Sequence, residues 1–309
     1  MRPTLRQLQY LVAVAETGHF GDAAKRVNVS QPSLSAQVAD MEAEIGATLI
    51  ERGRHGAFLT PRGKEAVRRA KLILRDVEDL KAAAKSAPDH LTGRLRLGVL
   101  PTIGPYLLPP AARRLHNSYP DLRFNVTEER SVDLEVHLHE GQFDTVISTV
   151  GDHSRCNSER LFDDQLWICV AHDDPLATTP APIKLRDMKG RELLSLGYLN
   201  WHSLDLQVHA IANASGATVS SEYQGTTLDA VRQMAEMGAG LAVLPSLYAL
   251  IEVRRDPQLI VRRIDHPMAI RSISLVWRDT SPLDASLRTL AGVLRDVAAD
   301  ILGSQKPVR

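Results

Sequence analysis

The chain has 309 residues and a formal net charge of zero, because 37 lysines and arginines are balanced by 37 aspartates and glutamates. This length favours two or three domains, since single hydrophobic cores rarely grow beyond roughly 250 residues. With 44% hydrophobic residues and 2 cysteines, the composition excludes a disulfide scaffold, and no apolar run is long enough for a transmembrane helix. The first residues lack the apolar core of a signal peptide, which predicts a cytoplasmic protein without a membrane partner.

The neutral total conceals an uneven distribution of charge. Residues 1–92 carry 14 basic and 11 acidic side chains, so this part is basic and the remainder is slightly acidic. A basic cluster is typical of nucleic-acid-binding surfaces and equally of the solvated face of a helix, so charge alone leaves both interpretations open. The cluster comprises Arg52, Arg54, Arg62, Lys64, Arg68, Arg69, Lys71 and Arg75.

Residues 1–60 are predicted to contain three short helices and a hairpin. Helical spacing of apolar residues predicts a first helix that Gly18 ends, a second helix from Phe20 to Val27, and a third that follows Ser30 and stops at Gly46. Ser30 is a favourable N-cap for the third helix. Two short helices joined by a tight turn form a helix-turn-helix, whose second helix enters the DNA major groove. A generic three-helix packing unit would show a similar pattern.

The candidate DNA-binding residues lie at the start of the third helix and on the hairpin, or wing. Short neutral side chains at the helix start can reach base edges or phosphates, and wing arginines can contact the DNA backbone or minor groove. The wing turn is predicted at residues 53–56. The candidates are Gln31, Pro32, Ser33, Ser35, Gln37, Arg52 and Arg54.

The segment from Leu8 to Arg52 resembles the winged helix-turn-helix of LysR-type transcriptional regulators. Residues 23–24, 29–35 and 49–52 carry this resemblance, which continues along essentially the whole chain. Within the family, residues 99–109 (VLPTIGPYLLP) are most similar to the peroxide-responsive branch. The resemblance implies homodimers that assemble into homotetramers on double-stranded promoter DNA, with RNA polymerase as a further candidate partner. It also implies an effector domain that controls DNA bending.

A linker helix is predicted at residues 61–87, followed by a hinge at 88–92. Its apolar residues alternate steps of four and three, which suits pairing with a second helix. A helix packed on its own domain shows a similar stripe, but the family resemblance favours dimerisation. The stripe comprises Ala66, Ala70, Ile73, Val77, Leu80 and Ala84.

Residues 93–309 are predicted to form an α/β effector domain, because strand-like and helical segments alternate as in a parallel, doubly wound sheet. The resemblance implies the two-lobed fold of periplasmic binding proteins, with lobe I at about 93–162 and 267–309 and lobe II at about 163–266. The fold class is therefore an all-α winged helix-turn-helix with a long linker helix, followed by a two-lobed α/β effector domain.

Effector-binding candidates follow the predicted strands, where ligands bind open α/β sheets. Thr102, Ser131 and Thr226 each precede or open a helix, with Thr227 as the alternative to Thr226 for the cap. Each hydroxyl could also be a simple N-cap. The resemblance implies that such positions converge on the cleft between the lobes. It adds Trp201, His202 and Ser203 to the candidate site.

The redox residues of the peroxide-responsive branch are missing here. In that branch a reactive cysteine follows a histidine and a second cysteine resolves it, whereas the matching positions here are His202, Ser203 and Ala212. A serine hydroxyl cannot form the thiolate that attacks peroxide. Cys156 and Cys169 lie outside this segment, and Cys169 is predicted to lie in a buried strand.

The sequence thus predicts a regulator that senses a small organic anion and requires no cofactor or metal. A peroxide-responsive regulator that works without the cysteine pair, or an engineered cysteine-to-serine form of one, remains the alternative. Catalysis is not expected, because no nucleophile elbow, phosphate-binding loop or dinucleotide fingerprint occurs.

Overall fold

The computed structural model describes residues 3–53, 56–83, 93–149, 155–179, 182–196, 203–225, 227–256 and 258–303. Residue contacts divide the chain into two units, which we name after their predicted roles: the DNA-binding unit at the N-terminus and the effector unit. No helix within the described ranges combines the length and apolar character that a membrane span requires.

The DNA-binding unit begins with three helices, α1 (Leu5–Thr17), α2 (Phe20–Arg26) and α3 (Gln31–Ile45). Gly18 and Gly46 end α1 and α3 in the left-handed conformation, with φ of 69° and 72°, which only glycine adopts freely. The predicted helices and their stop signals are therefore confirmed. The helices bury a shared core of Leu8, Leu11, Val14, Ala23, Ala24, Leu34, Val38 and Met41.

The predicted wing is a hairpin of β1 (Ile50–Gly53) and β2 (Gly56–Leu59). The strands are antiparallel, with Arg52 opposite Ala57. Glu42 of α3 anchors the entrance to the wing, because one carboxylate oxygen accepts the backbone amides of Leu49 and Ile50 at 2.6 and 2.9 Å.

The linker helix is α4 (Pro61–Ala83). The predicted apolar stripe divides along its length. Ala70 is buried in the core of the DNA-binding unit, whereas Ile73 and Leu80 are 44% and 68% exposed. The first turns of α4 therefore complete their own unit, and two apolar side chains seven residues apart face solvent. Ala84 and the hinge at 88–92 lie outside the described residues.

The effector unit starts with a first set of alternating strands and helices. These are β3 (Gly93–Val99), α5 (Gly104–Ser118), β4 (Leu122–Glu128), α6 (Ser131–His139), β5 (Thr145–Thr149) and β6 (Cys156–Val170). The second set is β7 (Glu192–Leu196), α7 (Ser203–Ser215), β8 (Thr218–Gly225), α8 (Leu228–Glu236), β9 (Leu241–Pro245), α9 (Ser246–Arg255) and β10 (Ile260–Arg263). The chain then returns through β11 (Ile270–Arg278) to α10 (Asp284–Gly303).

The strands form a mixed sheet in the order β4-β3-β5-β11-β6-β9-β7-β8, with β10 also paired to β6. The expected parallel arrangement holds for β4-β3-β5 and for β8-β7-β9. It is wrong for β6 and β11, which run antiparallel to their neighbours. The reason is that both strands cross from one lobe to the other, in opposite directions, and pair with each other at Gln165 and Ile270.

Two hydrophobic cores correspond to the two lobes of the predicted fold. One core is built on β3, β5, α5 and α10 around Leu107 and Trp277, and the other on β7, β9 and α7 around Leu193 and Val243. Helix α9 contributes to both cores, because Leu247 lies in the first and Tyr248 in the second. The two-lobed α/β fold class is thus confirmed.

Candidate functional sites

The start of α3 is an exposed polar surface. Ser30 caps the helix, because its hydroxyl accepts the Ser33 backbone amide at 3.3 Å. Gln31, Pro32 and Ser33 are exposed, so their side chains are available to a ligand. Gln37 is half-buried and is tied to α1 through its backbone carbonyl, which accepts the Gln7 amide nitrogen at 3.4 Å.

Arg52 of the wing contacts helix α3. Its Nη1 donates to Ser35 Oγ at 2.7 Å, and its guanidinium carbon lies 4.6 Å from the centre of the Phe20 ring. Two of the predicted DNA-binding residues, Ser35 and Arg52, therefore contact one another. Arg54 lies outside the described residues.

In the effector unit, strand register shows how the strands that precede the predicted effector residues are oriented. The carboxyl end of β5 pairs near Ile273, and the carboxyl end of β9 pairs at Leu166. Both pairs lie close to Gln165 and Ile270, where the paired strands β6 and β11 pass from one lobe to the other. We call this place the crossing. Because β3 and β4 run parallel to β5 and because β7 and β8 run parallel to β9, all these strands point their carboxyl ends toward the crossing. The carboxyl ends of these strands therefore face a common region, the place where ligands bind open α/β sheets.

A buried polar cluster occupies that crossing. Arg271 of β11 and Asp164 of β6 form an ion pair with side chains only 3% and 0% exposed. Asp164 also accepts the backbone amide and the hydroxyl of Ser246 at 2.8 and 2.7 Å, which fixes the start of α9. The hydroxyl of Thr102, 3% exposed, accepts a long hydrogen bond of 3.4 Å from Arg271.

Only Thr102 in this cluster was predicted from the sequence. Asp164 and Arg271 are 107 residues apart, and no local pattern links them. A charged residue directly before the apolar part of each strand is the one signal that could have pointed to a buried interaction. The two residues can be matched to each other only once the pairing of β6 with β11 is known.

Ser131 is the first residue of α6, as predicted, and is half-buried. The preceding Arg130 forms a bidentate ion pair with Asp133, and Glu129 lies 2.6 Å from Nδ1 of His137. The start of α6 therefore carries two local charge pairs beside the candidate hydroxyl. No described contact joins Ser131 to Thr102.

Ser203 is the first residue of α7, and its hydroxyl oxygen is buried without a hydrogen-bond partner among the described residues. Two residues further, the buried carboxylate of Asp205 accepts the hydroxyl of Ser195. Thr227, the neighbour of the predicted Thr226, caps α8 by accepting the Ala230 amide at 3.2 Å. Trp201, His202 and Thr226 lie outside the described residues.

Both cysteines are poor candidates for a redox centre. Cys169 is fully buried in β6, and burial raises the pKa of its thiol to about 12. Burial also raises the pKa of Cys156, at the beginning of the same strand. Since the thiolate is the reactive form, neither environment favours reaction with peroxide.

Comparison with known families divides the chain as the fold does. Residues 5–64 match the bacterial regulatory helix-turn-helix proteins of the lysR family, and residues 88–299 match the LysR substrate binding domain. The DNA-binding transcriptional dual regulator OxyR of Escherichia coli K12 is 34% identical over 292 residues, which covers 94% of each chain. The hydrogen peroxide-inducible genes activator of Haemophilus influenzae is 32% identical over 303 residues, covering 98% of this chain and 99% of the relative.

Solved structures of full-length proteins are similar over nearly the entire chain. A variant of OxyR from Pseudomonas aeruginosa superposes with a TM-score of 0.75 at 28% identity, covering 95% of this chain and 98% of that one. CbnR bound to its target DNA gives a TM-score of 0.64 at 23% identity, with coverage of 94% and 100%. The second similarity shows the shared fold alone.

Proposed function

Because the chain belongs to the LysR family of DNA-binding transcriptional regulators, we propose that a small organic anion binds between its effector lobes and alters promoter binding and bending. The buried hydroxyl of Ser203, which has no hydrogen-bond partner among the residues that the structure describes, supports this most directly. A buried polar group without a partner is costly, so a ligand that accepts its hydrogen bond would be stabilised there. The N-terminal turn of α7 also favours negative charge.

The proposed site combines residues that follow the strands of both lobes. Thr102 and Ser131 would contribute from lobe I, and Ser203 from lobe II, with Trp201, His202 and Thr226 as the proposed remainder. The convergence of the strand ends on the crossing supports this grouping. Arg271 would not supply an unpaired positive charge, because Asp164 already neutralises it.

A thermal-shift assay of the full chain with a panel of small carboxylates tests the anion site. An anion that binds should raise the melting temperature, since binding to the folded state stabilises it. The shift should shrink in Ser203→Ala, which removes the proposed donor, and should persist in Ser281→Ala, a serine near the start of α10. If no carboxylate raises the melting temperature of the unmodified protein, the anion proposal is wrong.

On the DNA side, we propose that Gln31, Pro32, Ser33, Ser35, Gln37, Arg52 and Arg54 form the contact surface. The exposed start of α3 and the adjacent wing arginine support this assignment.

We also propose the limits of the domains: 1–60 for DNA binding, 61–87 for dimerisation, 88–92 for a hinge, and 93–309 for the effector domain. We further propose that the protein acts in the cytoplasm as a homotetramer, together with RNA polymerase. It requires no cofactor or metal and catalyses no reaction.

A peroxide-responsive function is the second candidate, because the relatives in Escherichia coli O6:H1 and Haemophilus influenzae are named hydrogen peroxide-inducible genes activators. Treating the protein with hydrogen peroxide and measuring DNA affinity decides between the two. Under the anion proposal, peroxide leaves the DNA affinity unchanged. A reversible change of affinity that survives Cys156→Ser and Cys169→Ser would favour a peroxide response without thiols.

A further inference from the structure

The geometry points to Ser35 and Phe20 as positioning residues that hold Arg52 for a contact with a DNA phosphate. On this inference α3 and the wing present one preorganised surface. Ser35 contributes to the proposed contact surface through Arg52 rather than by reading a base itself. The inference rests on the DNA-binding role proposed for Arg52, and its test separates the two.

Ser35 holds the guanidinium by two hydrogen bonds. Nη1 of Arg52 donates to Ser35 Oγ at 2.7 Å, and Nη2 donates to the Ser35 backbone carbonyl at 3.4 Å. Ser35 lies within α3 and is half-buried, whereas Ser33 is exposed on the same helix. The Ser35 hydroxyl therefore faces the wing, while that of Ser33 is open to a ligand.

Phe20 supplies the third support. It is the first residue of α2 and packs against the core of the DNA-binding unit, which fixes the position of its ring. The guanidinium carbon of Arg52 lies 4.6 Å from the ring centre, within the range of a cation–π contact. Residues from α2, α3 and β1 thus meet at one guanidinium.

The guanidinium of Arg52 retains N–H groups that can donate to DNA while Ser35 holds it. Arginine has five N–H groups and no acceptor, and two of the five point to Ser35. The other three remain, and the residue is exposed on the wing beside the turn. Planar bidentate donors match a phosphate group. Fixing the side chain in advance lowers the entropy lost when it binds.

A double-mutant cycle on DNA affinity tests this arrangement. Full-length Arg52→Ala, Ser35→Ala and the double variant are titrated against a duplex from upstream of the chain's own gene and a mixed-sequence duplex, at several salt concentrations. We expect Arg52→Ala to weaken binding by about tenfold and to make the salt dependence shallower by about one unit per contacting subunit. Ser35→Ala should weaken binding several-fold, and the double variant should match Arg52→Ala.

Matched variants isolate the positioning role. Ser33→Ala combined with Arg52→Ala should be additive, since these side chains do not contact one another. Ser35→Thr keeps a hydroxyl and should retain affinity, and Phe20→Leu should reproduce part of the Ser35→Ala loss. Unchanged thermal unfolding of Ser35→Ala shows that the affinity loss does not come from misfolding.

Each outcome is decisive. Affinity losses of Ser35→Ala and Arg52→Ala that multiply in the double variant overturn the positioning role, as does full affinity in Ser35→Ala. A normal affinity and salt dependence in Arg52→Ala would instead reject the DNA contact of Arg52 itself. The mixed-sequence duplex reports phosphate contacts even where the upstream duplex contains no specific site.

Discussion

At the scale of single residues, the buried side chain of Asp164 connects several polar groups. It neutralises Arg271 and accepts two hydrogen bonds from Ser246. Removing one member of a buried pair leaves the other charge without compensation, which costs more than the pair itself contributes.

Asp164→Asn should therefore lower the free energy of unfolding by about 3–5 kcal/mol, measured by urea denaturation. The neighbouring Asp163 provides the control, because its ion pair with Arg160 is 45% and 63% exposed. Asp163→Asn should cost less than about 1 kcal/mol. Similar losses in both variants would contradict the special role of the buried pair.

Alanine substitutions at two helical glycines should have opposite effects on stability. A Cβ on Gly63 would lie 1.9 Å from the carbonyl oxygen of Leu49, whereas a Cβ on Gly292 would meet nothing within 4 Å. Gly63→Ala should destabilise the protein by about 1–3 kcal/mol through this clash. Gly292→Ala, inside α10, should stabilise it by up to about 1 kcal/mol through helix propensity. Thermal unfolding measures both, and a stabilising Gly63→Ala would contradict the close packing of α4 on the wing entrance.

At the scale of elements, α4 presents two exposed apolar side chains, Ile73 and Leu80, at heptad spacing. Pairing with a second copy of the helix would remove them from water. Leu80→Asp should therefore shift the protein toward smaller assemblies in sedimentation velocity, because it places a charge in the apolar seam. Asp76→Asn changes an exposed charge on the same helix and should leave the assembly unchanged. An unaltered sedimentation coefficient in Leu80→Asp would show that α4 does not form the dimer.

The elements also show what a sequence can predict. Capped helices such as α1 and α3 follow from local signals, because Ser30, Gly18 and Gly46 act within one turn of their own helix. The first half of β6 was not predicted, because its residues are mostly polar and its strand identity depends on pairing with β11, more than 100 positions away. A separation of 169 residues likewise hides the contact between Thr102 and Arg271.

At the scale of the whole molecule, two carboxyl groups give opposite pH dependences of stability. The pKa of Asp284 lies below its ordinary value of 3.8 because Arg288 and then Trp277 and Asn157 donate hydrogen bonds to it. Its contribution is present above the unfolded pKa and is lost as pH falls through the lower folded pKa. Glu128 is an exposed residue of β4, but partial desolvation raises its pKa above the ordinary value of 4.5, so the ionised group slightly destabilises the folded state at neutral pH.

Asp284→Asn should consequently reduce stability at pH 7, and the difference from the unmodified protein should shrink below about pH 4. Glu128→Gln should increase stability at pH 7, and its advantage should likewise vanish in acid. Denaturation of both variants at several pH values measures these trends. A stability difference that does not vary with pH in either variant would mean that the carboxyl does not titrate differently on folding.

The direct pairing of Gln165 with Ile270, where β6 and β11 cross, makes lobe II an internal insertion with adjoining ends. Deleting residues 166–269 and closing the gap with a two-residue turn would convert the crossing strands into an ordinary β-hairpin. The shortened protein would keep the first core except for Leu247 and the partly buried Ile251, both of which come from α9. Lobe I could then be produced as a minimal module, and lobe II exchanged between regulators as a cassette with both splice points at one place in the sheet.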